Sequence, residues 1–199
     1  MPPPPEKGKK AKKVKKPKKG APPPWKEIAG TPAADPTPEP YHTVTVALVV
    51  DDANAALGFY EQAFGATRGE VMPGPAGKIA HAELTIGDSI LMLSDEYPEM
   101  GSKSAKTLGG SAVALHMYVE DVDAAFAKAS EAGASAAMPV TDMFWGDRYG
   151  ALVDGAGFMW GVATHKEDLT PEQMQERMAA QAPAGAPAGD AAAEPAPAG

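Results

Sequence analysis

The sequence predicts an α+β fold built from two similar βαβββ modules, and two stretches carry this prediction. In residues 112–134, apolar side chains alternate from Val113 to Val119, which is typical of a strand with two different faces. Apolar residues at helical spacing follow from Val122 to Ala132 and indicate an amphipathic helix. Residues 46–67 repeat the same order about 70 residues earlier, with VDDANAAL lying over VEDVDAAF. A repeated strand–helix unit indicates a duplicated module.

Capping residues and turns define the ends of the predicted elements. Asp121 stands where a helix N-cap belongs, while Gly65 and Gly133 can close the two helices in a left-handed conformation. The first helix is predicted over residues 53–64, and a short polar helix is predicted from Thr170 to about Ala180. The predicted strands are 43–50, 67–72, 79–86 and 89–94 in the first module, and 113–119, 136–141, 147–154 and 158–164 in the second.

Composition divides the chain into one domain and two tails. Twelve of the 21 prolines lie in residues 1–40 and four more follow residue 181, so both tails are predicted to be disordered. The domain is expected at 41–180, with module one at 43–94 and module two at 112–164. The absence of cysteine excludes disulfides and thiolate metal sites and favours a reducing compartment. No apolar run approaches the roughly 18 residues needed to cross a bilayer, so we expect a cytoplasmic protein without a membrane partner.

The charge is divided unevenly along the chain. Residues 1–20 hold nine lysines and one glutamate, whereas the other 179 residues hold nine Lys/Arg and 25 Asp/Glu. The lysine-rich segment 7–19 could bind nucleic acid nonspecifically, with an affinity that falls as salt rises. The alternatives are a solubilising tail and a tail that contacts the acidic body of its own protein.

Three stretches resemble a known family. They are MPGPAGKIAHAELTIGDSILMLSDEYPEMG, LGGSAVALHMYVEDVDAAFAKASEAGA and FWGDRYGALVDGAGFMWGVATHKEDLTPEQ. Together with the paired modules, they resemble the vicinal-oxygen-chelate superfamily (glyoxalase I, bleomycin-resistance proteins, fosfomycin-resistance enzymes and extradiol dioxygenases), and within it the PhnB-like group. The resemblance covers about residues 43–178. It implies curved mixed sheets around a pocket, helices on the convex side and, by analogy, a homodimer.

Strand alternation, combined with this geometry, assigns a face to each strand residue. The residues expected under the helices are Val44, Val46, Leu48, Val50, Ala80, Ala82, Leu84, Ile86, Val113, Leu115, Met117, Val119 and Trp160. The residues expected to face the pocket are Thr43, Thr45, Ala47, Val49, His81, Glu83, Thr85, Ala114, His116 and Tyr118.

The usual metal site of the resembling proteins is not evident in this sequence. The resemblance implies that its ligand positions fall on Thr45, Ala114 and Gly161, and alanine and glycine have no ligand atoms in their side chains. We therefore expect no cofactor there. A divalent metal is conceivable only if His81, Glu83 and His116 converge, because two histidines and a carboxylate form a metal-competent set. Otherwise these three residues line a ligand site, or His81 and Glu83 form a structural pair.

The motif FWGDRYG adds further candidates for ligand binding. Arg148 could hold a carboxylate or phosphate bidentately, or it could pair with an aspartate for structural reasons. Trp145, together with Phe144 and Tyr149, could form aromatic walls, although ordinary core packing is the alternative for at least one of them. The candidate ligand-binding residues are therefore His81, Glu83, His116, Tyr118, Trp145 and Arg148.

Three functions remain open from the sequence. The first is a glyoxalase/bleomycin-resistance-like protein that binds a small molecule, for which Glu83 and the aromatic residues would suit a cationic or aromatic ligand. The second is a lyase, isomerase or dioxygenase that uses a relocated metal site, or uses His116 or Glu83 as a catalytic base. The third is a regulatory protein that senses a ligand in the pocket and binds a polyanion through its lysine tail.

Overall fold

The computed structural model describes residues 30–181, and these contain the predicted pair of βαβββ modules. The first module consists of β1 (Val46–Val50), α1 (Ala53–Phe64), β2 (Thr67–Pro73), β3 (Ile79–Ile86) and β4 (Ser89–Asp95). A short helix, α2 (Ala105–Leu108), precedes the second module, which consists of β5 (Ala114–Tyr118), α3 (Val122–Glu131), β6 (Ser135–Asp142), β7 (Asp147–Val153) and β8 (Met159–His165). A last helix, α4 (Pro171–Gln181), follows. The two-module α+β prediction is confirmed.

The chain divides into two compact units, and both modules lie in the unit that begins at Glu39. Residues 30–38 belong to the other unit and form no helix or strand. Most of the predicted tails, including the lysine-rich segment 7–19, lies outside the described residues. Among residues 30–181, none of the helices combines the length and the apolar character needed to span a lipid bilayer.

The modules share one sheet topology. The strand orders are β1-β4-β3-β2 in sheet 1 and β5-β8-β7-β6 in sheet 2. In each sheet the first and last strands of the module are parallel, and the remaining pairs are antiparallel. In both modules, therefore, the last strand is central and lies beside the first.

The start of each helix is held in the same way in both modules. The N-cap carboxylates of Asp52 and Asp121 accept hydrogen bonds from the backbone N–H groups of Ala55 and Ala124, at 2.9 and 3.0 Å. A side chain at the end of the last strand binds the first helical N–H of each module. Asp95 accepts the N–H of Ala53 at 2.8 Å, and Thr164 accepts that of Val122 at 2.9 Å. This shared arrangement supports the duplication inferred from sequence.

Most of the face assignments hold inside the strands. Leu48, Val50, Ala82, Leu84 and Trp160 are buried in the core as predicted. Leu115, Met117, Val119 and Ile86 are partly buried and pack against it.

The predictions for Val44, Val46, Val113 and Ala80 are wrong. Val44 and Val113 are 81% and 53% exposed, because β1 and β5 begin only after them. Val46, the first residue of β1, is exposed because it borders an open cleft. Ala80 is exposed because a register shift between Met72 and Pro73 leaves it outside the pairing with β2.

One buried carboxylate joins the two modules. Asp154, in the turn between β7 and β8, accepts hydrogen bonds from the hydroxyl of Tyr60 on α1 at 2.7 Å and from the indole of Trp160 at 2.9 Å. Its other oxygen accepts the backbone N–H groups of Ala156 and Phe158. Burial raises the pKa of Tyr60, and the neighbouring Asp154 raises it further, so the phenol remains a donor. A satisfied buried charge therefore links α1 to the last hairpin.

Replacing Tyr60 by Phe should lower the free energy of unfolding by about 1–2 kcal/mol, because a hydrogen bond to a buried carboxylate is lost. Tyr97→Phe is the matched control, since the Tyr97 hydroxyl is buried and has no hydrogen-bond partner among the described residues. The control should be neutral or stabilising in urea unfolding. Equal losses in the two variants would show that the Tyr60–Asp154 bond does not contribute.

Candidate functional site

A continuous row of aromatic rings covers part of sheet 2 on the face away from α3. We call it the aromatic platform, and its residues are Phe144, Trp145, Tyr149, His116 and Tyr118. Successive ring centroids along this row lie 5.0, 6.0, 5.7 and 4.9 Å apart. The rings of Tyr149 and His116 are nearly parallel, with an interplanar angle of 8°. His116 is exposed and Tyr118 is 63% exposed, so the platform presents aromatic surface to solvent.

The platform depends on a glycine in the central strand β8. His116 on β5 and Ala151 on β7 both pair with Gly161. Neighbouring strands lie about 4.8 Å apart, so side chains on β5 and β7 are separated by about twice that distance and meet only above a small residue. A Cβ on Gly161 would lie 2.8 Å from the ring of Tyr149 and 2.9 Å from that of His116. The absence of a side chain at this position therefore lets the two rings meet.

Asp147 anchors the platform through two of its rings. Its carboxylate is 5% exposed and accepts hydrogen bonds from the Tyr118 hydroxyl at 3.1 Å and the Trp145 indole at 3.0 Å. His165 Nδ1 lies 2.7 Å from its other oxygen, and His165 Nε2 lies 3.1 Å from Asp168. One buried carboxylate thus holds two platform rings and the end of β8.

The protonation of this cluster follows from its contacts. Burial acts to raise the pKa of Asp147, but the hydrogen bonds from His165, Tyr118 and Trp145 outweigh it and leave the pKa lowered. The pKa of Tyr118 is raised, first by its hydrogen bond to Asp147. The pKa of His165 is also raised, first by its contact with Asp147 and then by Asp168. Asp147 is therefore ionised at neutral pH, and Tyr118 stays protonated.

Sheet 1 carries a different group on its helix-free face. His81 Nε2 lies 3.2 Å from Glu83 Oε1, and the hydroxyl of Tyr41 donates to the same oxygen. The hydrogen bond from Tyr41 is the largest cause of the lowered pKa of Glu83, and His81 adds to it. The sequence contained no signal for Tyr41, because it stands alone in an irregular segment and 42 residues separate it from Glu83.

The structure divides the predicted site residues among three places. His116, Tyr118 and Trp145 come together in the aromatic platform, and His81 and Glu83 form a pair on sheet 1. Arg148 lies elsewhere.

The guanidinium of Arg148 faces the α3 side. It binds both carboxylate oxygens of Asp123 at 2.7 and 2.8 Å and also reaches Asp142 at 3.1 Å. A role of Arg148 in ligand binding stays a prediction. From the sequence, Gly161 is singled out only as an implied metal-ligand position and His165 has no assigned role. The importance of both comes from cross-strand neighbours.

The implied metal positions do not fit a metal site. Ala114 and Gly161 offer no side-chain ligand, and the rings of Tyr149 and His116 fill the space beside Gly161. Within residues 30–181, no three His, Asp or Glu side chains are grouped in a way that could hold a metal ion, so His81, Glu83 and His116 do not form one set. What these residues offer chemically is aromatic surface, a buried carboxylate and a His–Glu pair.

A cleft beside the platform gives room for a ligand. It measures about 930 Å³ and separates residues 115–120 of module two from the β3–β4 turn at residues 86–91. His116 and Tyr118 border it, and Phe64 and Trp160 line its inner side. The exposed end of the platform therefore opens into a cavity between the two modules.

Gly161→Ala should separate the rings of Tyr149 and His116, because the new methyl group would lie within 3 Å of both. We expect a loss of about 1–3 kcal/mol in the free energy of unfolding. The aromatic proton resonances of both rings should also shift. Gly155→Ala is the matched control, since a Cβ there meets nothing within 4 Å. A Gly161→Ala variant as stable as the control would contradict this account of the platform.

The His165–Asp147 contact should make stability depend on pH. The raised pKa of His165 stabilises the fold below about pH 6.5, and this contribution is lost as the pH rises through the raised value. The lowered pKa of Asp147 stabilises the fold above about pH 4, and that contribution is lost as the pH falls. The stability difference between wild type and His165→Asn should therefore be largest between these limits and shrink towards about pH 9.

Urea unfolding from about pH 4 to 9 measures this difference. Asp168→Asn should show a smaller version of the same profile, because Asp168 contributes less to the shift. A pH-independent difference for His165→Asn would contradict the assignment.

Comparison with known proteins agrees with the fold and the duplication. A family model described as the Glyoxalase/Bleomycin resistance protein/Dioxygenase superfamily matches residues 42–162. An uncharacterised protein of Mycobacterium bovis is 42% identical over 137 residues, which are 67% of this chain and 90% of that protein.

Two solved structures are also similar. A gene product of Arabidopsis thaliana is 27% identical with a TM-score of 0.52, over 62% of this chain and 98% of its own. A PhnB protein of Bacillus cereus is 19% identical with a TM-score of 0.51, over 62% and 99%, and shares the fold. With two βαβββ modules and a family match that spans most of both, this chain belongs to the glyoxalase/bleomycin-resistance/dioxygenase superfamily.

Proposed function

We propose that this protein binds a small molecule with a cationic or aromatic group on the aromatic platform, without the usual metal site of its superfamily. The observation that carries the proposal is the row of five rings, which is exposed at His116 and Tyr118 and is anchored by the buried carboxylate of Asp147. Aromatic faces attract cations and stack on planar rings.

The charge of the chain favours a cation. Outside residues 1–20 there are 25 Asp/Glu against nine Lys/Arg. An acidic surface raises the local concentration of cations and speeds their association. Asp147 adds a negative charge that is hydrogen-bonded to two platform rings, those of Tyr118 and Trp145.

The space beside the platform suits a small molecule. Ligand clefts commonly measure about 300–1,000 Å³ and combine apolar walls with a few polar groups. The cleft of about 930 Å³ between the modules has this character. Leu115, Met117 and Trp160 line it from the helix side of sheet 2, and His116 and Tyr118 border it from the opposite face.

The proposal includes a homodimer, by analogy with the superfamily. Tyr118 and Met159 are 63% and 43% exposed on the helix-free side of sheet 2, and a second copy that covers them would enclose the ligand.

The relocated-metal enzyme and the polyanion-binding regulator stay predictions, because no observation within residues 30–181 favours either.

Choline and its neutral tert-butyl isostere form a matched pair of probes for the proposed site. We expect choline to shift the resonances of His116, Tyr118 and Tyr149 saturably and to bind about tenfold more tightly than the isostere, since a cation–π contact contributes about 1 kcal/mol or more. Tyr118→Leu should weaken choline binding by about the same factor. Tyr118→Phe should retain it, because the ring remains.

Tyr97→Phe serves as an aromatic control outside the platform, and sedimentation analysis of the same samples measures the oligomeric state. Equal binding of choline and its isostere would contradict the cationic ligand class. Binding of choline that Tyr118→Leu leaves unchanged would contradict the platform as the site.

A further inference from the structure

The helix-free face of sheet 1 contains a phenol supplied by the chain itself. Tyr41 precedes β1 and is partly buried, and its hydroxyl donates to Glu83 Oε1 in the middle of β3. The contact raises the pKa of Tyr41, and the nearby charge of Glu70 on β2 adds to the shift. The phenol therefore remains protonated and acts as a hydrogen-bond donor to this face.

Glu83 packs closely against β2. Gly69 on β2 lies beside it, and a Cβ on Gly69 would be 3.2 Å from the Cβ of Glu83. On the same face, His81 contacts the oxygen that accepts the hydrogen bond from Tyr41. Glu83 Oε1 thus has two partners, and one of them comes from outside the sheet.

The segment that delivers Tyr41 is otherwise loosely attached. Residues 41–45 form no helix or strand, and the three residues after Tyr41 are exposed, with Val44 at 81%. Tyr41 therefore anchors this segment through its side chain and not through a strand pairing. An anchor of this kind can be exchanged for another hydrogen-bond donor at little cost to the fold.

We infer that the Glu83–His81 pair is a binding subsite for a phenol or a similar hydroxyl donor, and that Tyr41 is its internal occupant. A ligand that enters this face must replace the Tyr41 hydroxyl on Glu83. Residues 41–45, which carry Tyr41, then act as a gate for the helix-free face of sheet 1. This inference does not depend on cation binding at the aromatic platform, which lies on the other sheet.

p-Cresol, which is the side chain of tyrosine as a free molecule, tests the subsite directly. In the full-length Tyr41→Ala variant, p-cresol should bind saturably, with chemical-shift changes at Ala82, Glu83 and Leu84. Its affinity should exceed that for wild type by about tenfold, because the wild-type subsite is already filled and a hydrogen bond to a carboxylate is worth about that factor. Toluene, which lacks the hydroxyl, should not show this gain.

Two further variants test whether Glu83 accepts the hydrogen bond from p-cresol and whether the gain in affinity is specific to the loss of Tyr41. Glu83→Gln in the Tyr41→Ala background should reduce p-cresol binding about tenfold, and His42→Ala should bind p-cresol no better than wild type does. Circular dichroism of each variant checks that the fold is retained. Equal affinity of Tyr41→Ala and wild type for p-cresol, or binding that Glu83→Gln leaves unchanged, would overturn the inference.

Discussion

The buried carboxylate of Asp154 is the interaction on which the arrangement of the two modules depends. All four of its partners are donors, and one of them, Tyr60, belongs to the other module. A charge at this depth is tolerated only when its hydrogen bonds are complete, so the last hairpin and α1 must keep their relative position. Trp160 joins the same group and packs against Phe64, with ring centroids 4.5 Å apart. Phe64 and Trp160 also line the cleft between the two modules, so these contacts form its inner side.

The two modules use one scaffold to support different chemistry. In both, the last strand lies in the centre of the sheet, so its residues decide what can meet across the helix-free face. In sheet 1 the central residue beside Glu83 is Met92, whereas in sheet 2 the corresponding residue beside Ala151 is Gly161. The glycine lets two rings close over the strand, and aromatic surface takes the place of polar ligands. The helix-free face of sheet 1 instead carries the carboxylate of Glu83 and the imidazole of His81, and the hydroxyl of Tyr41 binds that carboxylate.

The resemblance of the sequence to its superfamily was a reliable guide to fold and a limited guide to the site. α1 occupies the predicted residues 53–64, and β3 occupies 79–86. Of the six candidate ligand-binding residues, five lie on the helix-free faces, and Arg148 binds Asp123 and Asp142 instead. Strand alternation predicts which face a residue occupies. It does not predict whether a partner on a neighbouring element already uses the side chain.

The sequence by itself determined the features that depend on near neighbours. Periodicity and the helix cap at Asp121 are encoded within a few residues, because helices and strands repeat over short distances. The duplication is visible as two similar stretches about 70 residues apart. Only the tertiary structure decided the pairs that join distant segments. Tyr60 meets Asp154 across 94 residues and Tyr41 meets Glu83 across 42, since strand order and module packing bring them together. The site is made of such pairs, and for this reason it became visible only in the folded chain.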